Sequence, residues 1–293
     1  MKQRNNHLST TTLLLCWSLL LLLSSCGTSR KAIQQIAGHY PHLTKSQFIE
    51  LYSQKQEYPS IAARGRVSLN IDLPEKQIQL NGIGIRWYQA PGKGFELSIR
   101  PIGFMEAGRL TVADDTVLAL DRLNKYYFLQ EEAHRKLASQ LPIPGIDPII
   151  LQAVIENKPF NFVEVGPTSL RRMEMKRTEE GYLFSSQLRP GGNQIKLLFD
   201  TALNLIVATI IVPDKGQLQV IYDRFVHLRM GQEIRPLPTL LEIEFKGNAE
   251  QYGFIRFDLQ DMEESKPRTW ETTPPAQYKR VTLQDIYKII QSL

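Results

Sequence analysis

Cys26 is the residue of this 293-residue chain with the clearest chemistry open to it, because it follows Leu23-Ser24-Ser25 at the end of a short apolar run. Lys2 and Arg4 form a basic start, Leu13 to Leu23 is apolar, and the two residues before the cysteine are small. Eleven residues at 1.5 Å rise cover roughly half of the ~30 Å hydrocarbon core, so the run reads as the core of a secretion signal and not as a spanning helix. With a cysteine in that place it is a lipoprotein signal. Residues 1–25 are expected to be removed, and Cys26 to carry a diacylglycerol on its sulfur and a further acyl chain, such as palmitate, on its nitrogen. Each buried methylene adds ~0.8 kcal/mol, so several chains together hold the protein stably on a bilayer.

The other residues that could do chemistry are arranged for structure. Cys16 leaves with the signal and Cys26 is consumed by lipid, so no thiol remains for disulfides, nucleophilic catalysis or metal ligation. His39 and His42 stand three apart in a Pro-containing turn, without the i, i+4 spacing and intervening Glu of a zinc protease, while His134 and His227 are isolated. Gly82-Ile83-Gly84 lacks the third glycine of a dinucleotide fingerprint, and Gly92-Lys93-Gly94 lacks the rest of a phosphate loop. Asp114-Asp115 falls at a predicted turn and Glu131-Glu132 at a predicted helix start, both ordinary places for carboxylates. No Gly-x-Ser-x-Gly elbow occurs. The expectation is a protein without catalytic residues, cofactor or metal.

Charge narrows the partners. The net charge of +5 falls to +3 when Lys2 and Arg4 leave with the signal, and no Lys/Arg cluster with interleaved aromatics appears, which argues against nucleic acid. No acid follows Cys26 at the second position, where the bacterial sorting rule would hold a lipoprotein at the inner membrane. The expected location is therefore the outer membrane, facing the periplasm.

The elements that must position everything else begin late. Residues 26–43 read as a lipidated tether, and residues 44–293 as one β-rich domain with no composition break. Thr44 and Gln47 have capping-box spacing, followed by Phe48, Leu51 and Tyr52 on one face of a short helix. Ile61 to Leu73 alternates apolar and polar for thirteen residues, the signature of a strand with one face buried. A second strand holds Ile78 and Leu80 in one phase and Ile83, Ile85 and Trp87 in the other, so a bulge is predicted at Asn81-Gly82. Alternation recurs at Phe95-Leu97-Ile99, Leu218-Val220-Tyr222, Leu241-Ile243-Phe245 and Ile255-Phe257-Leu259, with turn-forming Ala90–Gly94, Arg189–Asn193 and Pro213–Gly216 between strands. Helices are predicted over Gln130–Gln140, after Asp147-Pro148 with Leu151, Val154 and Ile155 on one side, and from Thr282 with Asp285 three residues on.

Ser98-Ile99-Arg100-Pro101-Ile102-Gly103, with Glu106 and Leu110 beyond, resembles the strand-loop-strand segment of the outer-membrane lipoprotein receptor of the Lol pathway, in the LolA-LolB superfamily. Leu141-Pro142-Ile143-Pro144 and the helix after it resemble that receptor's Pro-Ile-Pro run and apolar helix. Gly103 to Ala107, Asp114-Asp115 and Asp121 to Tyr126 also resemble a group of uncharacterised lipoproteins thought to share the fold. The resemblance implies an α+β architecture: a highly curved antiparallel sheet, a half-open β-barrel, covered by a few helices. It further implies acyl chains or lipoproteins as cargo, a periplasmic carrier as partner, and a protruding loop that helps deliver cargo to the membrane.

In this chain that loop is Pro101, Ile102, Gly103, Phe104 and Met105, with Ile102 at the place of the receptor's leucine and two further apolar side chains after it. Burial of one such side chain is worth ~1.5 to 3 kcal/mol, so these either pack beneath a neighbouring loop or touch a membrane or partner. The implied cavity would be lined from the strands by Val67, Leu69, Ile71, Ile83, Ile85, Trp87, Leu97 and Ile99, and from the helix by Leu151, Val154 and Ile155. A filled core would use the same residues. The alternative is a non-catalytic accessory subunit of an envelope assembly, binding protein through sheet edges or the Pro-rich tail Lys266-Pro267 to Pro274-Pro275. Ile102→Glu is expected to leave folding stability within ~0.5 kcal/mol and to impair membrane delivery; a lowered urea midpoint would instead place Ile102 in the core.

Overall fold

The computed structural model describes residues 39–54, 59–73, 76–101, 105–132, 148–186, 192–213, 215–230, 233–247, 252–282 and 285. They belong to one compact unit, Ile36–Leu293. Cys26 and the signal segment, loop residues 102–104 and His134 lie outside the described residues, as does the side chain of Leu151.

The described strands make a single fourteen-stranded sheet that is curved and unclosed. A first run of hairpins comprises β1 (Ile61–Leu73), β2 (Lys76–Ala90), β3 (Gly94–Ile99), β4 (Gly108–Ala113), β5 (Thr116–Asp121) and β6 (Tyr126–Glu131). A second comprises β7 (Met173–Arg177), β8 (Gly181–Ser186), β9 (Gln194–Asp200), β10 (Leu205–Val212), β11 (Gly216–Met230), β12 (Glu233–Gly247) and β13 (Tyr252–Glu264). Long-range antiparallel pairing of β1 with β13 fuses the two runs, and the short β14 (Lys279–Arg280) pairs parallel with β6 at the edge. The α+β reading with a curved antiparallel sheet therefore holds.

Three helices are described: α1 (Lys45–Gln54), α2 (Pro148–Ile155) and α3 (Pro167–Leu170). The capping box at α1 forms, with the Thr44 amide donating to Gln47 Oε1 at 3.0 Å. Phe48 then inserts among Tyr182, Phe184 and Phe199 of β8 and β9, with ring centroids 4.9 to 5.2 Å apart and steeply inclined. At the end of α2, the Tyr222 hydroxyl donates to the Val154 carbonyl at 2.8 Å. The buried Glu156 carboxylate accepts from the Gly92 amide at 3.0 Å and pairs with Lys158, which fastens α2 to the β2–β3 turn. Helices and sheet share one core on one face of the strands.

The predicted bulge is present. Val67 faces Ile83 and Leu69 faces Leu80, so Ser68 stands opposite both Asn81 and Gly82. Gly82 has φ of +64° and its amide donates to Ser68 Oγ at 3.1 Å. The predicted helix from Gln130 is corrected at its start: Gln130 and Glu131 continue β6 and pair with Val117 and Thr116. Register across β5 outweighs the local polar run there, and the rest of that predicted helix lies outside the described residues. The Thr282–Asp285 cap forms, with the Thr282 amide donating to Asp285 at 2.8 Å.

The last residues of the expected tether are docked. Buried Tyr182 donates to the Tyr40 carbonyl at 2.6 Å and accepts from the Leu43 amide at 2.9 Å. His42 contacts Arg177 at 2.7 Å and His39 contacts Thr201 at 3.0 Å, so the two histidines serve separate structural contacts.

Close approach of β1 to β13 demands a glycine. A Cβ on Gly65 would stand 2.4 Å from the Asp258 carbonyl oxygen, whereas one on Gly253 would meet nothing nearer than 3.8 Å. Gly65→Val is expected to destabilise the fold by about 1 to 3 kcal/mol or more, and Gly253→Ala to cost under ~1 kcal/mol. Equal urea midpoints for the two variants would refute the close approach.

Candidate functional site

Strand alternation gives the sheet two different faces. On the inward face the residues expected to line a cavity divide into two groups. Ile85 and Trp87 are 3% exposed and Val154 is 2% exposed, so these three are core. Val67, Leu97 and Ile155 pack against that core while staying partly exposed. Leu69, Ile71, Ile83 and Ile99 are also partly exposed. Beneath the end of α2, between Trp87, Tyr222, Leu241 and Leu259, the free space is about 20 Å³. That is room for about one water and far too little for an acyl chain. This end of the inward face is packed shut.

Beyond it the apolar face continues. Leu69 faces Leu80 on one side and Ile255 on the other, and Ile255 faces Ile243; Ile71 faces Ile78. Leu80 is 44% exposed, Ile78 is buried, and Leu69, Ile71, Ile243 and Ile255 are partly exposed, with Ile243 and Ile255 packed against the edge of the core. These rows lie past the end of β3, where the Pro101–Met105 loop begins. The Arg100 amide donates to the Gly84 carbonyl at 2.7 Å, so the loop leaves β3 beside the extended part of β2. Pro101 is exposed and Met105 is 38% exposed. A second apolar tip, Phe162-Val163, went unnoticed in the sequence; Val163 is 74% exposed, and the turn is set by Asn161, whose side chain accepts from the amides of Val163 and Glu164 at 2.7 and 2.8 Å.

The outward face carries a different structure, a polar pocket of about 530 Å³ over β1 to β4. Its floor follows one register row: Arg64 faces Arg86, Arg86 faces Ser98, and Ser98 faces Arg109. Its wall is the segment after β13. The Ser265 amide donates to the Ser60 carbonyl at 2.7 Å, Arg268 stacks 3.7 Å above the Tyr88 ring, and Arg268 Nη2 donates to Glu96 at 2.9 Å.

Glu106 ties this region together. It accepts from Arg109 Nε at 2.6 Å, from Arg109 Nη2 at 2.9 Å and from Arg122 Nε at 2.9 Å, with Arg100 at 3.5 Å. Arg109 also pairs with Glu271 of the wall segment at 2.5 Å. Burial alone would raise the pKa of Glu106, but the hydrogen bonds from Arg109 and Arg122 outweigh it and lower the value to about 2. Among the described residues no group of three His, Cys, Asp or Glu is placed to hold a metal ion, and no helix is long and apolar enough to cross a membrane.

No protein-family model matches the chain, and no curated protein matches it. Solved structures do. A LolA superfamily protein from Nitrosomonas europaea aligns at 10% identity over 78% of this chain and 96% of its own, with a TM-score of 0.44. A DUF1329 family protein from Desulfovibrio piger aligns at 9% identity over 78% of this chain and 95% of its own, with a TM-score of 0.48. A Vibrio parahaemolyticus domain described as an outer membrane lipoprotein-sorting protein aligns at 7% identity over 85% of this chain and all of its own, with a TM-score of 0.43.

The depressed pKa of Glu106 makes its contribution to stability present above the ordinary carboxyl value of 4.5 and lost as pH falls toward about 2. Glu106→Gln is therefore expected to lower the melting temperature at neutral pH, and the gap from the unmodified protein should close between those two pH values. Melting curves that stay parallel over that interval would remove Glu106 as the centre of the network.

Proposed function

We propose that this protein is a non-catalytic envelope lipoprotein, anchored through Cys26 to the outer membrane on its periplasmic side, that receives acyl chains or acylated cargo on the open end of its inward sheet face. The observation that carries this reading is the continuity of Leu80, Leu69, Ile255 and Ile243 along one register row, exposed at Leu80 and partly exposed at the edge of the packed core. Apolar residues scattered singly on a surface need no explanation, whereas a contiguous apolar band marks a surface that meets something apolar. An extended acyl chain matches such a band in shape and chemistry, and the space under α2 is too small to take one. The loop from Pro101 stands at the same end, where apolar Met105 and the neighbouring Ile102 and Phe104 of the sequence would meet the bilayer during transfer.

The test is direct. Residues 27–293 are expressed without the signal, purified to a single species and extracted with organic solvent for mass spectrometry. Bound lipid is expected, and Leu69→Gln with Leu80→Glu should abolish it without loss of folding. A lipid-free extract from a monodisperse protein would favour the accessory-subunit role. Separately, Cys26→Ser is expected to move the full chain from the membrane to the soluble envelope fraction; retention at the membrane would refute the lipid anchor.

A further inference from the structure

We infer that the outward pocket over β1 to β4 is a binding site for a small zwitterion, a phosphate ester that also carries an ammonium group. Arg64 and Arg86 stand directly opposite each other on β1 and β2. Like charges in a cross-strand pair, with Cβ atoms roughly 4.5 to 5.5 Å apart, destabilise the sheet. Among the described residues neither arginine has a hydrogen bond or an ion pair to relieve that repulsion, although both line the pocket.

The pocket's other cations are already committed. Arg109 is held by Glu106 and Glu271, Arg268 by Glu96 and the Tyr88 ring, and Arg100 lies 3.5 Å from Glu106 and donates to Ser98 Oγ at 3.1 Å. Those acids are thus spent on other guanidiniums. Two guanidinium-bearing side chains lining one hollow suit a tetrahedral oxyanion, which each can grip through two parallel N–H groups.

The opposite wall supplies the second half of the recognition. Asp261 and Glu263 of β13 also line the pocket and, among the described residues, also have no ion-pair partner. Asp261 sits at an irregularity: Ala62 faces Glu263 and Arg64 faces Gln260, so Asp261 and Met262 together stand opposite Ala63. Its φ of 47° is one that L residues seldom adopt, at a position that lines the pocket. A simple anion would meet repulsion from these two acids. A ligand with an ammonium a few bonds from its phosphate satisfies both pairs at once, and a volume of about 530 Å³ admits a molecule of that size. The site is separate from the inward apolar face and stands whether or not that face binds acyl chains.

Titration calorimetry on the full chain in nonionic detergent tests this with three probes. O-phosphoethanolamine is expected to bind, and inorganic phosphate to bind at least tenfold more weakly. Arg64→Gln and Arg86→Gln should each weaken phosphoethanolamine about tenfold, the loss of one charge-assisted contact. Asp261→Asn with Glu263→Gln should bring the zwitterion down to the affinity of phosphate. Glycerophosphoethanolamine separates the sources: affinity equal to that of phosphoethanolamine assigns the site to lipid headgroups, and much weaker binding assigns it to a free phosphomonoester. Both arginine variants are exposed and should melt no lower than the parent without ligand, since they relieve a repulsion. Absence of heat with phosphoethanolamine, affinity unmoved by the arginine variants, or a lowered melting point that shows them to be structural would each overturn the proposal.

Discussion

A single open sheet can bury only the face that something covers, and that inequality organises this molecule. At ~3.3 Å per residue the fifteen-residue strands β11 and β12 run for about 50 Å, while ten-residue α1 and eight-residue α2 span about 15 and 12 Å at 1.5 Å per residue. The helices therefore cover part of the strands' length. Where Phe48, Tyr52 and Val154 reach, the inward residues of β8 to β13 close into a core. Beyond their reach the alternation continues because each strand must keep pairing with its neighbours, and apolar side chains project from it with less to pack against. A partly exposed apolar band is thus the geometric consequence of long strands under short helices.

The outward face solves a different problem. It is wet, so its ion pairs are individually weak where exposed, as with Arg256 and Glu242 at 3.0 Å. The cluster around Glu106 differs because the carboxylate is 12% exposed and receives hydrogen bonds from two guanidiniums. Through Glu271 and Arg268 it also holds the segment after β13 against β3, β4 and β5. The two runs of hairpins are consequently joined twice, once by the β1–β13 ladder and once by this crossing segment, which then supplies β14 to the edge beside β6.

Some of this was legible because it is encoded locally. The thirteen-residue alternation of β1 has the bounds that the structure has, the phase switch at Asn81-Gly82 marks a real bulge, and both capping boxes form. Other elements were hidden for identifiable reasons. Leu205 to Val212 is a nearly unbroken apolar run, so β10 carries no period of two to detect. Tyr126 to Glu131 ends in Gln130 and Glu131, with Glu132 next, favourable residues for a helix start, and only pairing with β5 makes it a strand. The outward pocket was invisible for a deeper reason: Arg64, Arg86, Ser98 and Arg109 look unremarkable in sequence, and it is register that sets them in one row.

Register also explains why both faces survive in one sequence. Side chains along a strand change face with every residue, so an offset of one exchanges the wet side for the greasy one. Ile78 and Leu80 are out of phase with Ile83, Ile85 and Trp87, and without the extra residue at Asn81-Gly82 one set or the other would point outward. The irregularity at Asp261-Met262 performs the same correction on β13. It lets Phe257 and Leu259 face inward while Glu263, beyond it, shares the outward side with Arg64. Each bulge thus serves both faces at once: it keeps the inward rows continuous and sets the charged row behind them. The left-handed backbone, adopted freely by Gly82 and under strain by Asp261, is how the strands hold two chemically opposite surfaces in alignment.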